Sequence, residues 1–477
     1  MTPLGSLRSP GETSPPPLNG REWWILAAAT VLGAVSRLVT LARTPWDWDE
    51  FLFMLAVDRF DVARHHPHPP GFPLFILGAK IVRKLGFDNF HALQAMNVLA
   101  AIAIVPVMFF LCRELRMRFG TSLSAALLLA FFPNVWFFGG TAFSDVPSMT
   151  LVVLAVALLF AGCRNTYAFL AGAALLAVAG GFRLQSLLIG LVPLLIASAF
   201  QVRRGVGRVV AAVVVVVVTI GVSYGTAAWL TGWKSYAEAS QMHGRFIVRT
   251  DSFRAPQRPP LPLVFEEFFV RPYQAPLINT MVTVFAVISS AVSVVRRRLH
   301  VLLVMATFAP FCVFAWLMLD RLSAGRFSIG YAPLIALLTA DGVRLVMRTK
   351  VAEALGEVVI VVLMIVWAWP ALMDLHRTVS PPVAAAEWIL DHADARTSVI
   401  YVDESMGPAA EWYLPRYRLL SMAAMDQPSS PPGYQLREGR IGGSGVVTFA
   451  HARDRLWKIV RRRYFEASVV VPAPPTS

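Results

Sequence analysis

Long apolar runs separated by short polar turns dominate the chain. A run of about 20 apolar residues is needed to cross a bilayer. The runs predict eleven spans, at 23–42, 91–112, 121–138, 148–163, 166–182, 185–200, 208–230, 275–295, 299–318, 327–347 and 355–375. Several are short for a span, so the number is about eleven. The pattern predicts a mainly α-helical, polytopic membrane protein.

Composition agrees with the hydrophobic pattern. Of the 477 residues, 56% are hydrophobic and 15% are charged, whereas a soluble protein carries about 25% charged residues. The formal net charge of +14 would suit a nucleic-acid partner. The basic residues, however, are concentrated in turns on one predicted side of the membrane, so no nucleic-acid partner is predicted. The three cysteines fall inside or at the ends of spans, so no disulfide outside the membrane is expected.

The basic residues orient the spans. With the N-terminus in the cytoplasm, the inner turns hold thirteen basic residues: Arg113, Arg116, Arg118, Arg164, Arg203, Arg204, Arg208, Arg296, Arg297, Arg298, Arg344, Arg348 and Lys350. The short outer turns hold three, Arg183, Arg321 and Arg326. Cytoplasmic loops are enriched in Lys and Arg. We therefore predict that loops 43–90 and 231–274 and the tail 376–477 lie outside the cytoplasm.

Three regions follow from this topology. Residues 1–20 are rich in Pro, Gly and Ser, which predicts a disordered cytoplasmic tail. Residues 21–375 form the transmembrane domain, in which Gly71–Leu85 has the apolar face of an interfacial helix. Residues 376–477 alternate helical and strand patterns and predict a small extracytoplasmic α/β domain. Its predicted helices are Ala384–His392, Pro408–Tyr413 and Arg453–Tyr464, and its predicted strands are Ser398–Val402, Val446–Phe449 and Ser468–Val471.

An acidic motif directly after the first span is the main candidate for chemistry. It reads Trp46-Asp47-Trp48-Asp49-Glu50. Aromatic residues favour the membrane interface and acids do not, so three clustered carboxylates indicate a function. The alternative is a solvated helix cap. His66 and His68 add ionisable groups to the same loop, and a zinc site made with these residues is a weaker alternative.

Further candidates lie at the same face. Asp145, in Phe-Ser-Asp-Val-Pro, is an acid at membrane depth, which indicates a function, although it also suits a helix N-terminus. Arg321 and Arg326 flank a short outer turn, and Arg183 and Arg37 approach the same face. Arginine suits an anionic head group such as a lipid phosphate. For any single arginine, a side chain that only snorkels to the interface is the alternative.

Three of these motifs, in this order, resemble those of the polyprenyl-phosphate-dependent glycosyltransferases of the C-type membrane fold. They are the Asp49-Glu50 pair, the His-Pro stretch His65–Leu74, and Arg326-Phe327 followed by Pro333. The protein O-mannosyltransferases and the lipid A aminoarabinose transferases are the nearest groups. The resemblance covers most of the chain. His68 stands where such enzymes often place a lysine before a Pro-Pro pair.

The resemblance implies an inverting transfer of a sugar from a polyprenyl-phosphate donor to a lipid, glycan or protein acceptor, at the outer face of the bacterial plasma membrane. It implies Asp49 as the general base, with Glu50 and Asp47 as further catalytic residues. It implies a substrate-binding set of Asp145, His66, His68, Arg183, Arg321 and Arg326. The family varies in its use of divalent metals, so a metal stays open and no other cofactor is implied.

Two other classes of function remain alternatives. A transporter or flippase of an anionic lipid-linked glycan would use the same outer arginines, but few ionisable residues fall at mid-membrane and no internal repeat is evident. A non-catalytic assembly protein would bind through its tail. Neither alternative explains a carboxylate cluster beside the first span. The sequence does not specify the sugar or the acceptor.

Overall fold

The computed structural model describes residues 16–472 except 426, 428, 429 and 452–464. Its helices are α1 (Gly20–Leu38), α2 (Trp48–Asp58), α3 (Pro73–Arg83), α4 (Asn89–Glu114), α5 (Phe119–Phe131), α6 (Pro133–Gly139), α7 (Asp145–Gly162), α8 (Thr166–Phe182), α9 (Leu187–Val202), α10 (Val206–Thr231), α11 (Trp233–Thr250), α12 (Leu261–Phe265), α13 (Pro276–Val295), α14 (Leu299–Met318), α15 (Ala324–Phe327), α16 (Ala332–Val346), α17 (Lys350–Arg377), α18 (Pro381–His392) and α19 (Gly407–Tyr413). Its strands are β1 (Val399–Val402), β2 (Arg418–Ser421), β3 (Tyr434–Glu438), β4 (Val446–Ala450) and β5 (Glu466–Val470).

Each of the eleven predicted apolar runs corresponds mainly to one helix, except that 121–138 is divided between α5 and α6. Within the described residues, eight helical segments are long and apolar enough to cross a membrane, and the bent pair α5–α6 makes up to nine. The apolar helix α8 is shorter. The predicted class, a mainly helical polytopic membrane protein with a small C-terminal α/β domain, is confirmed.

The break between α5 and α6 explains the position of one candidate arginine. Pro133 begins α6 and cannot donate a backbone hydrogen bond, and the two helices meet at 61°. The guanidinium of Arg37, which is fully buried, donates to the carbonyl of Ala130 near the end of α5. Arg37 therefore stabilises a broken helix end inside the bundle and does not join the other outer-face candidates.

Loop 43–90 folds into two short helices. The Asp47 carboxylate accepts a hydrogen bond from the Asp49 amide at 2.9 Å, which caps α2. The second helix, α3, confirms that the Gly71–Leu85 region is helical. It buries Phe75 and leaves the apolar side chains of Leu77 and Ile81 exposed.

The C-terminal residues form a five-stranded sheet in the order β2-β1-β3-β5-β4. Strand β1 pairs in parallel with β2 and β3, and β5 pairs antiparallel with β3 and β4. The predicted strands correspond to β1, β4 and β5, and the first two predicted helices correspond to α18 and α19. Strands β2 and β3 were not predicted because polar residues interrupt both. The predicted helix Arg453–Tyr464 lies outside the described residues.

This domain packs on loop 43–90. Helix α19 contacts α2, and His66 Nε2 lies 3.2 Å from a carboxylate oxygen of Glu411 on α19. The Ser380 hydroxyl donates to the carbonyl of Pro45 at 2.6 Å. The sheet domain therefore lies at the end of the helix bundle where the acidic motif lies.

Candidate functional site

Asp49 and Asp47 point in different directions because α2 begins between them. Residues two apart in a helix diverge by about 200°. Asp47 is nearly fully buried and turns back to cap α2. Asp49, in the first turn, is partly exposed and is hydrogen-bonded to the guanidinium of Arg326. Only Asp49 of the three motif acids therefore combines partial exposure with a direct arginine partner.

Arg326 connects the acidic motif to the second candidate acid. It lies in α15, in the turn that leads into α16, and is 5% exposed. Its Nε donates to Asp145 Oδ2 at 2.9 Å while Nη1 donates to Asp49. The guanidinium also lies over the ring of Phe143, 4.4 Å from the ring centroid, a distance at which a cation is attracted to the ring face. Because it is buried and paired twice, Arg326 is not a snorkelling side chain.

Asp145 has a second arginine partner. Arg183, which directly follows α8, places Nη1 2.8 Å from Asp145 Oδ2 and 3.1 Å from the Ser144 hydroxyl. The Arg183 guanidinium lies 5.6 Å from the ring centroid of Phe72 in the His-Pro stretch. The carboxylate of Asp145 is thus clamped between two arginines from different parts of the chain.

Together, Asp49, Arg326, Asp145 and Arg183 form an alternating chain of charges, which we name the Arg326 cluster. Two carboxylates and two guanidiniums give it a formal charge of zero. Burying such a network costs desolvation energy that the pairing only partly offsets. Ionisable clusters in a membrane protein are commonly retained for function. The cluster is therefore the main candidate active site.

His68 borders the cluster but is not a cation there. Its Nδ1 lies 3.6 Å from Asp49 Oδ1, and its ring packs against Phe72 at 4.8 Å and near His243 at 5.8 Å. Burial lowers the pKa of His68 to about 4, although the Asp49 charge acts in the opposite direction. The imidazole is therefore neutral near pH 7, and positive charge at this site comes from Arg326 and Arg183.

Glu50 faces backbone amides instead of the arginines. It is fully buried, and its two oxygens accept hydrogen bonds from the amides of Trp46 at 2.7 Å and Ala142 at 2.9 Å. Burial, followed by the Asp47 charge, raises the pKa of Glu50 to about 8, while the amide hydrogen bonds lower it. Glu50 thus ties the acidic loop to the turn before α7, where Asp145 lies.

We expect Glu50→Gln to reduce stability at pH 5 by about 1–3 kcal/mol, because one amide donor would face the new NH₂ group. The folded pKa of Glu50 lies above its unfolded value of about 4.5. Its stabilising effect is therefore full below pH 4.5 and is lost as the pH rises towards 8. The difference in melting temperature between wild type and variant should therefore shrink from pH 5 to pH 8.

The control for this measurement is Glu238→Gln on the exposed helix α11, which should leave the melting temperature unchanged at both values of pH. If the difference in melting temperature between wild type and Glu50→Gln stays constant or widens towards pH 8, the amides keep Glu50 ionised throughout.

Two predicted substrate residues lie away from the cluster. His66 pairs with Glu411 of the C-terminal domain, and burial lowers its pKa while Glu411 opposes the shift. Arg321 is about one-third exposed and lies 3.5 Å from Glu267. The structure therefore brings together Asp49, Asp145, Arg183 and Arg326, with His68 beside them.

A cavity of about 20 Å³ adjoins the cluster, lined by Asp145, Arg183, Ser148 and Ser186 among others. This volume suits about one water molecule. Within the described residues, no group of three or more His, Cys, Asp or Glu side chains is arranged to hold a metal ion.

Sequence reasoning did not single out Phe143 or Phe72, whose rings lie against the two arginines. The available signal was their place in the motifs described above. Phe143 directly precedes Ser144-Asp145, and Phe72 lies within the His-Pro stretch. Phe72 also has a φ of 49°, an uncommon backbone conformation for a bulky residue. The third unanticipated neighbour, His243 on α11, had no sequence signal.

Comparison with known proteins relates the fold to solved structures. No family model matches the chain, and no curated protein matches it in sequence. The crystal structure of ArnT from Cupriavidus metallidurans bound to undecaprenyl phosphate is similar over 94% of this chain and 98% of ArnT, with a TM-score of 0.57 and 12% identity. The apo ArnT structure has the same coverage and identity, with a TM-score of 0.56. The chain therefore has the C-type membrane glycosyltransferase fold.

Proposed function

We propose that the protein is an inverting glycosyltransferase that moves a sugar from a polyprenyl-phosphate donor to an acceptor at the outer face of the membrane. The observation that carries the proposal is the Arg326 cluster, in which one buried arginine joins a partly exposed carboxylate to a second carboxylate. The similar ArnT fold, solved with undecaprenyl phosphate bound, supports a lipid-linked phosphate as the ligand.

The proposed roles follow from charge. Arg326 and Arg183 bind the donor phosphate, since guanidinium groups form paired hydrogen bonds with phosphate oxygens. Asp49 is the general base, because a carboxylate is ionised near pH 7 and accepts a proton within hydrogen-bond reach. Asp145 holds the two arginines in position. His68 and Phe72 line the same space, and neutral His68 acts as a hydrogen-bonding or packing group.

In the proposed transfer step, atoms and charge are conserved. The acceptor oxygen or nitrogen attacks the anomeric carbon, its proton passes to Asp49, and the bond from that carbon to the phosphate oxygen breaks. The electron pair stays on the phosphate. The donor phosphodiester gains one negative charge as it becomes a polyprenyl phosphate, and Asp49 loses one as it is protonated. Negative charge therefore moves from one partner of Arg326 to another, and Arg326 stabilises it throughout.

The same geometry predicts an order of events. In this arrangement the Asp49 carboxylate accepts a hydrogen bond from Arg326, so one of its oxygens is already occupied. A donor phosphate that takes over part of the Arg326 hydrogen bonding would free Asp49 to accept a proton. Donor binding therefore precedes activation of the acceptor.

The domain assignment extends this proposal. Residues 21–375 provide the transfer site. The α/β domain within residues 376–477 contributes to acceptor choice or stability and not to the base, because Glu411, its acid at loop 43–90, pairs with His66. The cytoplasmic tail proposed for residues 1–20 lies mostly outside the described residues, and α1 begins at Gly20. Glu50 and Asp47 act by positioning Asp49 and α2.

The orientation of the spans is a separate prediction. Reporter fusions at Ser380 and at Arg298 should report opposite sides of the membrane, with Ser380 outside, because basic residues concentrate in the turns on the Arg298 side. Each position is fused once to a cytoplasmic reporter and once to an extracytoplasmic reporter. A low signal caused by poor expression is then distinguished from a location on the other side of the membrane. If both positions report the same compartment, the outer-face location of the Arg326 cluster is wrong.

The function is tested with purified protein in detergent and a lipid extract that contains polyprenyl-phosphate sugars. Mass spectrometry should show depletion of one lipid-linked sugar and release of an equal amount of polyprenyl phosphate when an acceptor fraction is added. Folded protein that consumes none of these lipids across acceptor fractions would count against a transferase and favour a transporter or binding role.

A further inference from the structure

A second charged cavity, of about 290 Å³, lies at the other end of the bundle from the Arg326 cluster. Helix α16 begins beside Arg326 and reaches the cavity at Asp341, nine residues after its first residue, which is about 14 Å along a helix. The cavity is also lined by the turn between α4 and α5 and by the start of α14. Its residues have no part in the proposed transfer.

The lining of this cavity is strongly basic. It contains Arg116, Arg118, Arg298 and Arg344 and only one acid, Asp341, which gives a formal charge of +3 when His300 is neutral. The next acid, Glu353, lies behind Thr121, whose hydroxyl is 3.4 Å from it. Counting Glu353 still leaves an excess of two positive charges.

Asp341 fixes two of these arginines. It is fully buried, and its two oxygens accept hydrogen bonds from Arg298 at 2.6 and 2.8 Å and from Arg344 at 2.9 Å. A buried carboxylate that holds guanidinium groups reduces the conformational entropy they lose on binding a ligand. Arg118 and Arg116 are exposed at the same cavity, so four guanidinium groups surround one space.

We propose that this cavity binds a phosphate group, supplied either by the head group of an anionic membrane lipid or by free phosphate. Guanidinium groups match phosphate oxygens with paired, charge-assisted hydrogen bonds. A volume of 290 Å³ equals roughly ten waters at about 30 Å³ each, enough for a phosphate and its nearest substituent. Basic pockets between membrane helices bind lipid head groups in this way.

Exposed apolar side chains beside the cavity favour a membrane lipid as the source of the phosphate group. Val294 and Val295, at the end of α13 close to Arg298 in sequence, are 58% and 81% exposed, so acyl chains can pack beside the basic cavity. Membrane topology requires basic residues in these turns but does not require them at particular positions. Arg296 and Arg297 already satisfy that need and do not line the cavity.

The test compares Arg118→Glu with Arg296→Glu in the purified full-length protein. Arg118 lines the cavity, is exposed and makes no side-chain cap for α5, so its replacement should leave the melting temperature unchanged. Arg296 is an exposed arginine in the neighbouring turn and serves as the charge-matched control. The Arg326 cluster is intact in both variants, so any phosphate bound there contributes equally.

Two probes distinguish the sources. Native mass spectrometry measures binding of phosphatidylglycerol, with dioleoylglycerol as the lipid without phosphate, and equilibrium dialysis measures binding of inorganic phosphate. Arg118→Glu should weaken binding about 10-fold or more, Arg118→Ala should weaken it less, and Arg296→Glu should change it less than about twofold. If Arg118→Glu weakens binding of phosphatidylglycerol only, the ligand is a lipid head group. If it weakens binding of inorganic phosphate, the ligand is free phosphate. Equal binding by wild type, Arg118→Glu and Arg296→Glu in both assays would overturn the proposal.

Discussion

Asp49→Asn should reduce turnover by about 10²–10⁴-fold, the usual contribution of a general base. Asparagine preserves the size of the side chain and an oxygen that accepts from Arg326, but it cannot take up the acceptor proton. Removing a negative charge beside the donor phosphate should leave donor affinity unchanged or slightly increased. The measurement is turnover at saturating donor, together with donor binding and melting temperature for each purified variant.

The matched control is Asp47→Asn. Asparagine caps helices about as well as aspartate, so α2 should remain intact and turnover should fall only mildly. If Asp47→Asn is inactive while Asp49→Asn is active, the base is Asp47 and the register of the motif is shifted by two residues. If both variants keep full activity, loop 43–90 does not contain the base.

Arg326→Ala should weaken donor binding by about 1.5–3 kcal/mol, the value of a charge-assisted hydrogen bond. It should also lower the melting temperature, because Asp145 would lose one of its two buried cationic partners. Arg326→Lys separates the two effects. Lysine keeps the charge near Asp145 but lacks the planar fork of arginine, so stability should recover more than donor affinity. Binding is measured with polyprenyl phosphate by isothermal titration of the detergent-solubilised variants.

Arg321→Ala is the control for this series. Arg321 is about one-third exposed and pairs with Glu267, and exposed pairs of this kind contribute about 0–1 kcal/mol. Its donor affinity should match wild type. Wild-type affinity in a folded Arg326→Lys variant, or a larger loss in Arg321→Ala, would assign the donor phosphate to a different arginine.

The helices were predictable because burial in a bilayer demands long apolar runs, and those runs are local in sequence. Strands β1, β4 and β5 were also predictable. Strands β2 and β3 were not, since Arg418-Leu-Leu-Ser and Tyr434-Gln-Leu-Arg-Glu alternate too few apolar residues to form a strand pattern. Their pairing with β1 depends on the rest of the sheet.

The candidate site was predictable as a set of residues but not as a geometry. Asp49 and Arg326 followed from short motifs, yet they are 277 positions apart in the chain. Nothing in the sequence indicated that Asp145 would share Arg326 with Asp49, or that Glu50 would bond to the amide of Ala142. Such contacts depend on how α2, α7 and α15 pack together, which hydrophobic periodicity does not specify.

A structure of the protein with polyprenyl phosphate bound would show directly whether Arg326 holds the donor phosphate. The quantity to measure is the distance from the nearest phosphate oxygen to the guanidinium of Arg326. We predict a hydrogen bond of about 2.7–2.9 Å, with the Asp49 carboxylate facing the space where the anomeric carbon of a donor would lie. A phosphate bound elsewhere, with the pairing of Asp49, Arg326 and Asp145 unchanged, would contradict it.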